Sequence, residues 1–386
     1  MIEQLFFELI QVSLGTRICL SHTPSVDEWG ELYAMAKKQS LVGVCFAGVQ
    51  RLQQQRLDSP EMLYLTWMGM TAKIQQRNEV VNRQCVELQA KLSAAGFRSY
   101  IMKGQGNSAL YRTSYDPSTS LRNQNDNENL CLLRQSGDID VYLEGGLGKV
   151  WSYANTLAQT NEVNELEMHV DVFPDTEVEF HYRPFIMRNP FKNRKLQRFF
   201  AMEGEKCFEN KIALPNGIGE IAVPTTTFNL VHQMVHIYHH LFTEGIGLRQ
   251  LLDYYFLLCS VKSVGNVKES KDCILSLGLD RFASALMWVI GYVFCGRDSK
   301  LSTLTSNLGI EPNEADGRFL LNEIMLAGNF GKYDERLSHE EVPKWQSFWR
   351  VNARNLRLMR FNNTDWFWGP LWRLYHFAWR KIHGFR

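Results

Sequence analysis

The chain has 386 residues, 45% of them hydrophobic and 22% charged, with a formal net charge of +1. That is ordinary globular composition, long enough for two or three modules and for a core that needs neither disulfide staples nor a structural metal. The near-neutral balance makes no global demand for a polyanionic partner, and the eight cysteines include no C-x-x-C pair, so a zinc ribbon or thioredoxin-like motif is excluded.

Residues 1–95 read as helical. MIEQLFFELIQVSLG carries Leu5, Phe6, Leu9, Ile10 and Val12 at helical spacing. It lacks the basic flank and small-residue cleavage site of a secretory signal. No apolar run reaches the ~20 residues of a membrane span, and the cysteines sit mostly among apolar neighbours as small hydrophobes. A reducing, cytoplasmic location is expected. Ser25 with Glu28 forms a capping-box pattern, and Glu61 to Ala95 runs almost free of breakers up to Gly96.

The pattern changes after Gly96, and 96–224 reads as a mixed α/β module. Tyr100, Ile101 and Met102 form a short strand ending at Lys103-Gly104. TSYDPSTSLRNQNDNEN (113–129) is dominated by turn formers and reads as a surface loop. DIDVYL (138–143) returns to strand character, a helix-like segment follows at 147–160, and MHVDVF (168–173) with VEFHY (178–182) reads as a hairpin turning at PDT. IGEIAVP (218–224) is one more strand. Residues 225–386 form a helical C-terminal region, with helices expected at 225–241, 247–261, 280–295 and 316–328.

The chemistry is concentrated in this α/β module. Side chains of a strand alternate faces, so Asp138 and Asp140 project together about 6–7 Å apart while Ile139, Val141 and Leu143 face a core. Two acids side by side repel each other, and a hard dication with oxygen ligands relieves that repulsion. In VEFHY, Glu179 and His181 share the polar face with Arg183. With PDT as the turn, Asp171 is expected opposite Glu179, which leaves either acid as the third metal ligand.

The run Lys103-Gly104, Tyr111, Arg134, Gly137-Asp138-Ile139-Asp140 and Glu179-Phe180-His181-Tyr182-Arg183 resembles the uncharacterised nucleotidyltransferase family of the polymerase-beta-like superfamily. The resemblance extends to about residue 260, through His232, His236, His239-His240, Arg249 and Asp253. It implies an α+β fold with a nucleotidyltransferase-type mixed sheet between helical regions. It implies Asp138, Asp140 and Glu179 as catalytic metal ligands for Mg²⁺ or Mn²⁺. Lys103, Gly104, Arg134 and His181 would then contact the nucleoside triphosphate, ATP or another, and a nucleoside monophosphate would pass to a hydroxyl acceptor. A nucleotide-binding regulatory module without catalysis, or a nucleic-acid-binding protein using the basic C-terminus, is the alternative.

Three further features stand out. His232, His236 and His240 fall on one helix face, read as a polar seam along the cleft in preference to a zinc site. Arg249 and Asp253 are four apart and expected to pair as a brace. Residues 344–386 interleave Arg350, Arg354, Arg357, Arg360, Arg373, Arg380 and Lys381 with six tryptophans against the single acid Asp365. Packing of the aromatics on the core is the plainest reading. Contact with single-stranded nucleic acid or an anionic membrane surface is the other.

Overall fold

The computed structural model describes residues 2–112, 130–261, 267–296, 308–334, 353–361 and 364–383. The expected loop at 113–129 lies outside them.

Helices Ile2–Leu14, Val26–Lys38, Val42–Gln54 and Glu61–Ala94 open the chain. The capping box forms as its sequence requires: the Ser25 hydroxyl accepts from the Glu28 amide at 3.2 Å, and the Glu28 carboxylate accepts from the Ser25 amide at 2.8 Å. The long helix Glu61–Ala94 ends one residue short of Ala95. It serves two cores. Trp67 is buried among the N-terminal helices. Further along, Val81, Cys85, Leu88 and Leu92 form a seam at helical spacing that packs under the sheet.

The sheet consists of β1 (Ser99–Ile101), β2 (Ile139–Leu143), β3 (Thr160–Val163), β4 (Glu167–Val170) and β5 (Val178–His181). Its order is β1-β2-β5-β4-β3. β2 and β5 run parallel and the remaining pairs antiparallel. Helix Gly146–Leu157 links β2 to β3. Alternation sorts the faces: Ile139, Val141, Leu143, Val178, Phe180 and Met168 are fully covered and join the seam of the long helix. Each such side chain contributes roughly 1.5–3 kcal/mol of burial. Tyr142, on the other face, stacks on Tyr100 at 4.8 Å. A separate ribbon pairs β6 (Lys211–Ala213) with β7 (Glu220–Ala222).

After the ribbon come helices Thr226–Thr243, Leu248–Cys259, Lys268–Ser276, Asp280–Ile290 with a π-helical turn at Gly291–Cys295, and Glu314–Ala327. Thr225 caps the first, its hydroxyl accepting from the Phe228 amide at 3.3 Å. Their apolar faces share one core with the N-terminal helices. Helix Asp365–His383 lies near the sheet, where His376 meets Glu165 at 2.6 Å and Trp379 joins the sheet-side core.

Two expectations about pairing change. The hairpin does not place Asp171 opposite Glu179. The register pairs His169 with Glu179 and Glu167 with His181. Phe173 bridges Thr176, which makes Pro174-Asp175 the turn and moves the partner of Glu179 by one residue, and an irregularity between that bridge and the β4–β5 ladder moves it by one more. The long helix fixes that turn: Arg77 donates to the Asp175 carboxylate at 3.0 Å and Gln84 at 2.7 Å. Asp171 instead accepts from Asn161 at an exposed position. Nor does Arg249 pair with Asp253. Both Asp253 oxygens are taken by Arg134, at 2.7 Å each.

Candidate active site

A cleft of about 520 Å³ opens between the polar face of the sheet and helices Thr226–Thr243 and Leu248–Cys259. Asp138, Asp140, Glu167, His169, Glu179 and His181 line its sheet side. Lys103, Arg134, His232, His236, His240 and Arg249 line the remainder.

Asp140 projects from β2 beside Glu179 and His181 of β5 because the parallel register sets Asp140 level with Glu179. One potential ligand atom from each of these three residues lies within 4.8 Å of the others. Asp138 precedes β2 and stands exposed at the cleft rim. It lies outside that triplet. A second group, Glu167, His169 and Glu179, satisfies the same spacing and shares Glu179 with the first.

The site carries more negative charge than its cations offset. The His181 Nε2 faces Asp140 at 3.1 Å, Glu167 at 3.2 Å and Glu179 at 3.3 Å. A single N–H cannot serve three carboxylates. Burial opposes charge on His181, but Glu167, Asp140 and Glu179 outweigh it and push the imidazole up to about 10. Burial, with the Asp140 charge, pushes Glu179 up to about 7. Asp138 is raised by the Asp140 charge. Burial works against Asp140 as an anion, yet Lys103 and His181 hold it well below the usual carboxylate range. The donor set therefore fits a divalent cation: clustered carboxylate oxygens suit Mg²⁺ or Mn²⁺.

Lys103 extends its ammonium to Asp140 at 2.6 Å and to His236 Nε2 at 3.0 Å. The backbone turn that aims it falls on Gly104, at φ +55° and ψ −110°, where a Cβ would meet the Asp138 carbonyl at 3.4 Å. Glycine alone takes that conformation without strain. Arg134 is buried and bound in a fork by Asp253, which also accepts from Tyr111 at 2.9 Å. Arg183, expected on the polar face, lines a separate small hollow with Tyr182 and Glu205.

The histidine seam faces the cleft as its spacing requires. His232 Nε2 meets the Pro184 carbonyl at 3.2 Å, and His236 meets His240 at 3.0 Å. Burial, with Lys103 nearby, drives His232 down to about 3 and His236 well below its usual range. These are neutral imidazoles.

Sequence reasoning missed Glu167. The correct register would have supplied it, since Glu167 shares a face with His169 two residues on.

An α+β protein with a mixed sheet whose polar face gathers acids beside a lysine and an open cleft has the build of a nucleotidyltransferase. The chain belongs to the uncharacterised nucleotidyltransferase family, whose model matches residues 25–126 and 131–294. No curated protein and no solved structure matches it. Among the described residues, no helix is long and apolar enough to cross a membrane.

Proposed function

We propose that the protein is a metal-dependent enzyme that transfers a nucleoside monophosphate from a nucleoside triphosphate to a hydroxyl acceptor. The observation that carries this is the meeting of Asp140, Glu179 and His181 beside Asp138 in an open cleft. A regulatory nucleotide binder has no use for several converging acids. The acceptor oxygen forms a bond to the α-phosphorus, the bond to the β-phosphate oxygen breaks, and pyrophosphate leaves. A divalent cation, Mg²⁺ or Mn²⁺, would supply charge stabilisation to that displacement when bound. Asp138, Asp140 and Glu179 would hold it, and a carboxylate of this set takes the hydroxyl proton. Glu179, level with Asp140, is better placed than Asp171 as third ligand. Lys103 acts as a compact positive charge toward the phosphates.

The test is incubation with labelled nucleoside triphosphates, Mn²⁺ and candidate hydroxyl acceptors. Asp138→Asn and Glu179→Gln are expected to cut transfer at least 100-fold. Transfer at the wild-type rate in either variant refutes the assignment. The eight free cysteines fit a reducing, cytoplasmic setting.

For the C-terminal segment we favour an anionic lipid surface over nucleic acid. Residues 344–352, 362–363 and 384–386 lie outside the described residues. On helix Asp365–His383, Phe367, Leu371, Leu374, Phe377 and Ile382 stand exposed, with Arg373 and Lys381 exposed among them. Phe367, Tyr375 and Phe377 can stack on bases, but Leu371, Leu374 and Ile382 cannot, and a mixed apolar stripe with cations beside it suits a headgroup boundary. Sedimentation with vesicles of 30% phosphatidylglycerol in phosphatidylcholine is expected to pull down the wild type. Leu374→Glu with Ile382→Glu should stay in solution. Equal binding to single-stranded RNA in both proteins, with no vesicle binding, would overturn this.

A further inference from the structure

Asp253 and its neighbours pair their charges unevenly. Two guanidinium groups, Arg134 and Arg249, line this end of the cleft with the Asp253 and Asp138 carboxylates. Arg134 consumes the Asp253 carboxylate, through Nε to Oδ1 and Nη2 to Oδ2, while the Tyr111 hydroxyl takes the remaining approach to Oδ1. Among the described residues Arg249 is left with one hydrogen bond, from Nη1 to the Gln135 carbonyl at 2.9 Å, and with the Phe330 ring at 5.7 Å. Its Nε is buried without a partner. Among the described residues Arg249 makes no ion pair. Asp253 and Asp138 act on it electrostatically without pairing.

A partly covered guanidinium with no ion-pair partner and a buried, unsatisfied Nε is costly, and a protein retains one where an anion is to arrive. Arginine's fork matches phosphate oxygens in shape as well as charge. The cleft supplies the geometry: a cation held at Asp138 would draw phosphate oxygens to the rim on which Arg249 also acts.

We infer that Arg249 is a phosphate-binding residue that receives the terminal phosphates of the triphosphate. This rests on the nucleotidyl-transfer reading. Arg134, locked to Asp253, positions the wall and leaves the cation at 249 to the ligand. Burial and the charge of Arg134 pull the Arg249 pKa down, as expected of a cation whose partner has yet to bind.

Tripolyphosphate with Mn²⁺ is the direct probe, because it carries the phosphate chain without a base. Calorimetric titration of the full chain is expected to show Arg249→Gln weakening tripolyphosphate roughly 10- to 100-fold, the value of one charged hydrogen-bonding group. Arg249→Lys should fall between. Mn²⁺ titrated alone should bind Arg249→Gln as it binds the wild type. The metal-free melting temperature of Arg249→Gln should be equal to or above that of the wild type, since an uncompensated charge is removed. Unchanged tripolyphosphate affinity in Arg249→Gln overturns the inference and leaves the nucleotidyl-transfer reading standing. A lower melting temperature with unchanged affinity identifies Arg249 as a structural brace. A wild type that binds Mn²⁺ but no tripolyphosphate refutes both readings.

Discussion

At the scale of single residues, neighbouring acids have opposite relations to the fold. Asp140 is buried and its charge is favoured by Lys103 and His181. Replacing it leaves Lys103 facing a cleft without its closest anion. Asp140→Asn should therefore lose stability, by about 2 kcal/mol, somewhat under the range for breaking a fully buried pair. Burial and the Asp140 charge disfavour ionisation of Glu179. Glu179→Gln should leave the metal-free protein as stable or more so while abolishing Mn²⁺ binding. Urea melts with chelator present separate the two, and equal losses would contradict the account. His232, with His236 and His239, contributes to the pH dependence. The folded pKa of His232, about 3, lies below the unfolded value of about 6.5. Between those values the unfolded chain takes up a proton that the folded chain refuses, so stability falls as pH drops through that window. Thermal melts at pH 7 and pH 5 should show the wild type losing about 1–2 kcal/mol more than His232→Gln.

Elements differ in how openly the sequence displays them. The D-x-D strand is legible because alternation forces Ile139 and Val141 into the core and Asp140 out of it. The capping box at Ser25 and the histidine seam are legible because their spacing is local. The hairpin register is not, because Arg77 and Gln84, far away in sequence, decide where the turn falls. β3 and β6 are missed because they are short and largely exposed, so no apolar alternation marks them. Helix Pro190–Gly204, between β5 and the ribbon, is not among the expected elements although Asn189 as cap and Pro190 at the first helical position mark its start. The junction after β1 gives a test at this scale. Gly104→Ala should cost about 1–3 kcal/mol for a side chain held at an unfavourable φ. It should also displace Lys103 and weaken triphosphate binding. Denaturant melts and calorimetry on one variant measure both effects, and full triphosphate affinity would show that the turn does not aim the lysine.

For the molecule as a whole, the cleft lies where the sheet's polar face meets the helices that follow the ribbon. A ligand held by residues of both walls favours the folded state by mass action, about 2.7 kcal/mol at a concentration 100 times its Kd. Mn²⁺ with triphosphate should accordingly raise the melting temperature more than Mn²⁺ alone, and no difference in scanning fluorimetry would mean that the triphosphate does not bind the folded protein.

The helix Glu61–Ala94 carries this reasoning further. At 1.5 Å per residue it is roughly 50 Å long, a spar whose first half is fastened in one apolar mass and whose second half is fastened in another. Neither mass can dissolve without loosening an end of the same rod. Calorimetry should therefore record one heat-absorption peak rather than two. A thinning of the seam such as Leu88→Ala should lower that peak as a unit, with amide exchange near Trp67 accelerating although nothing there was altered.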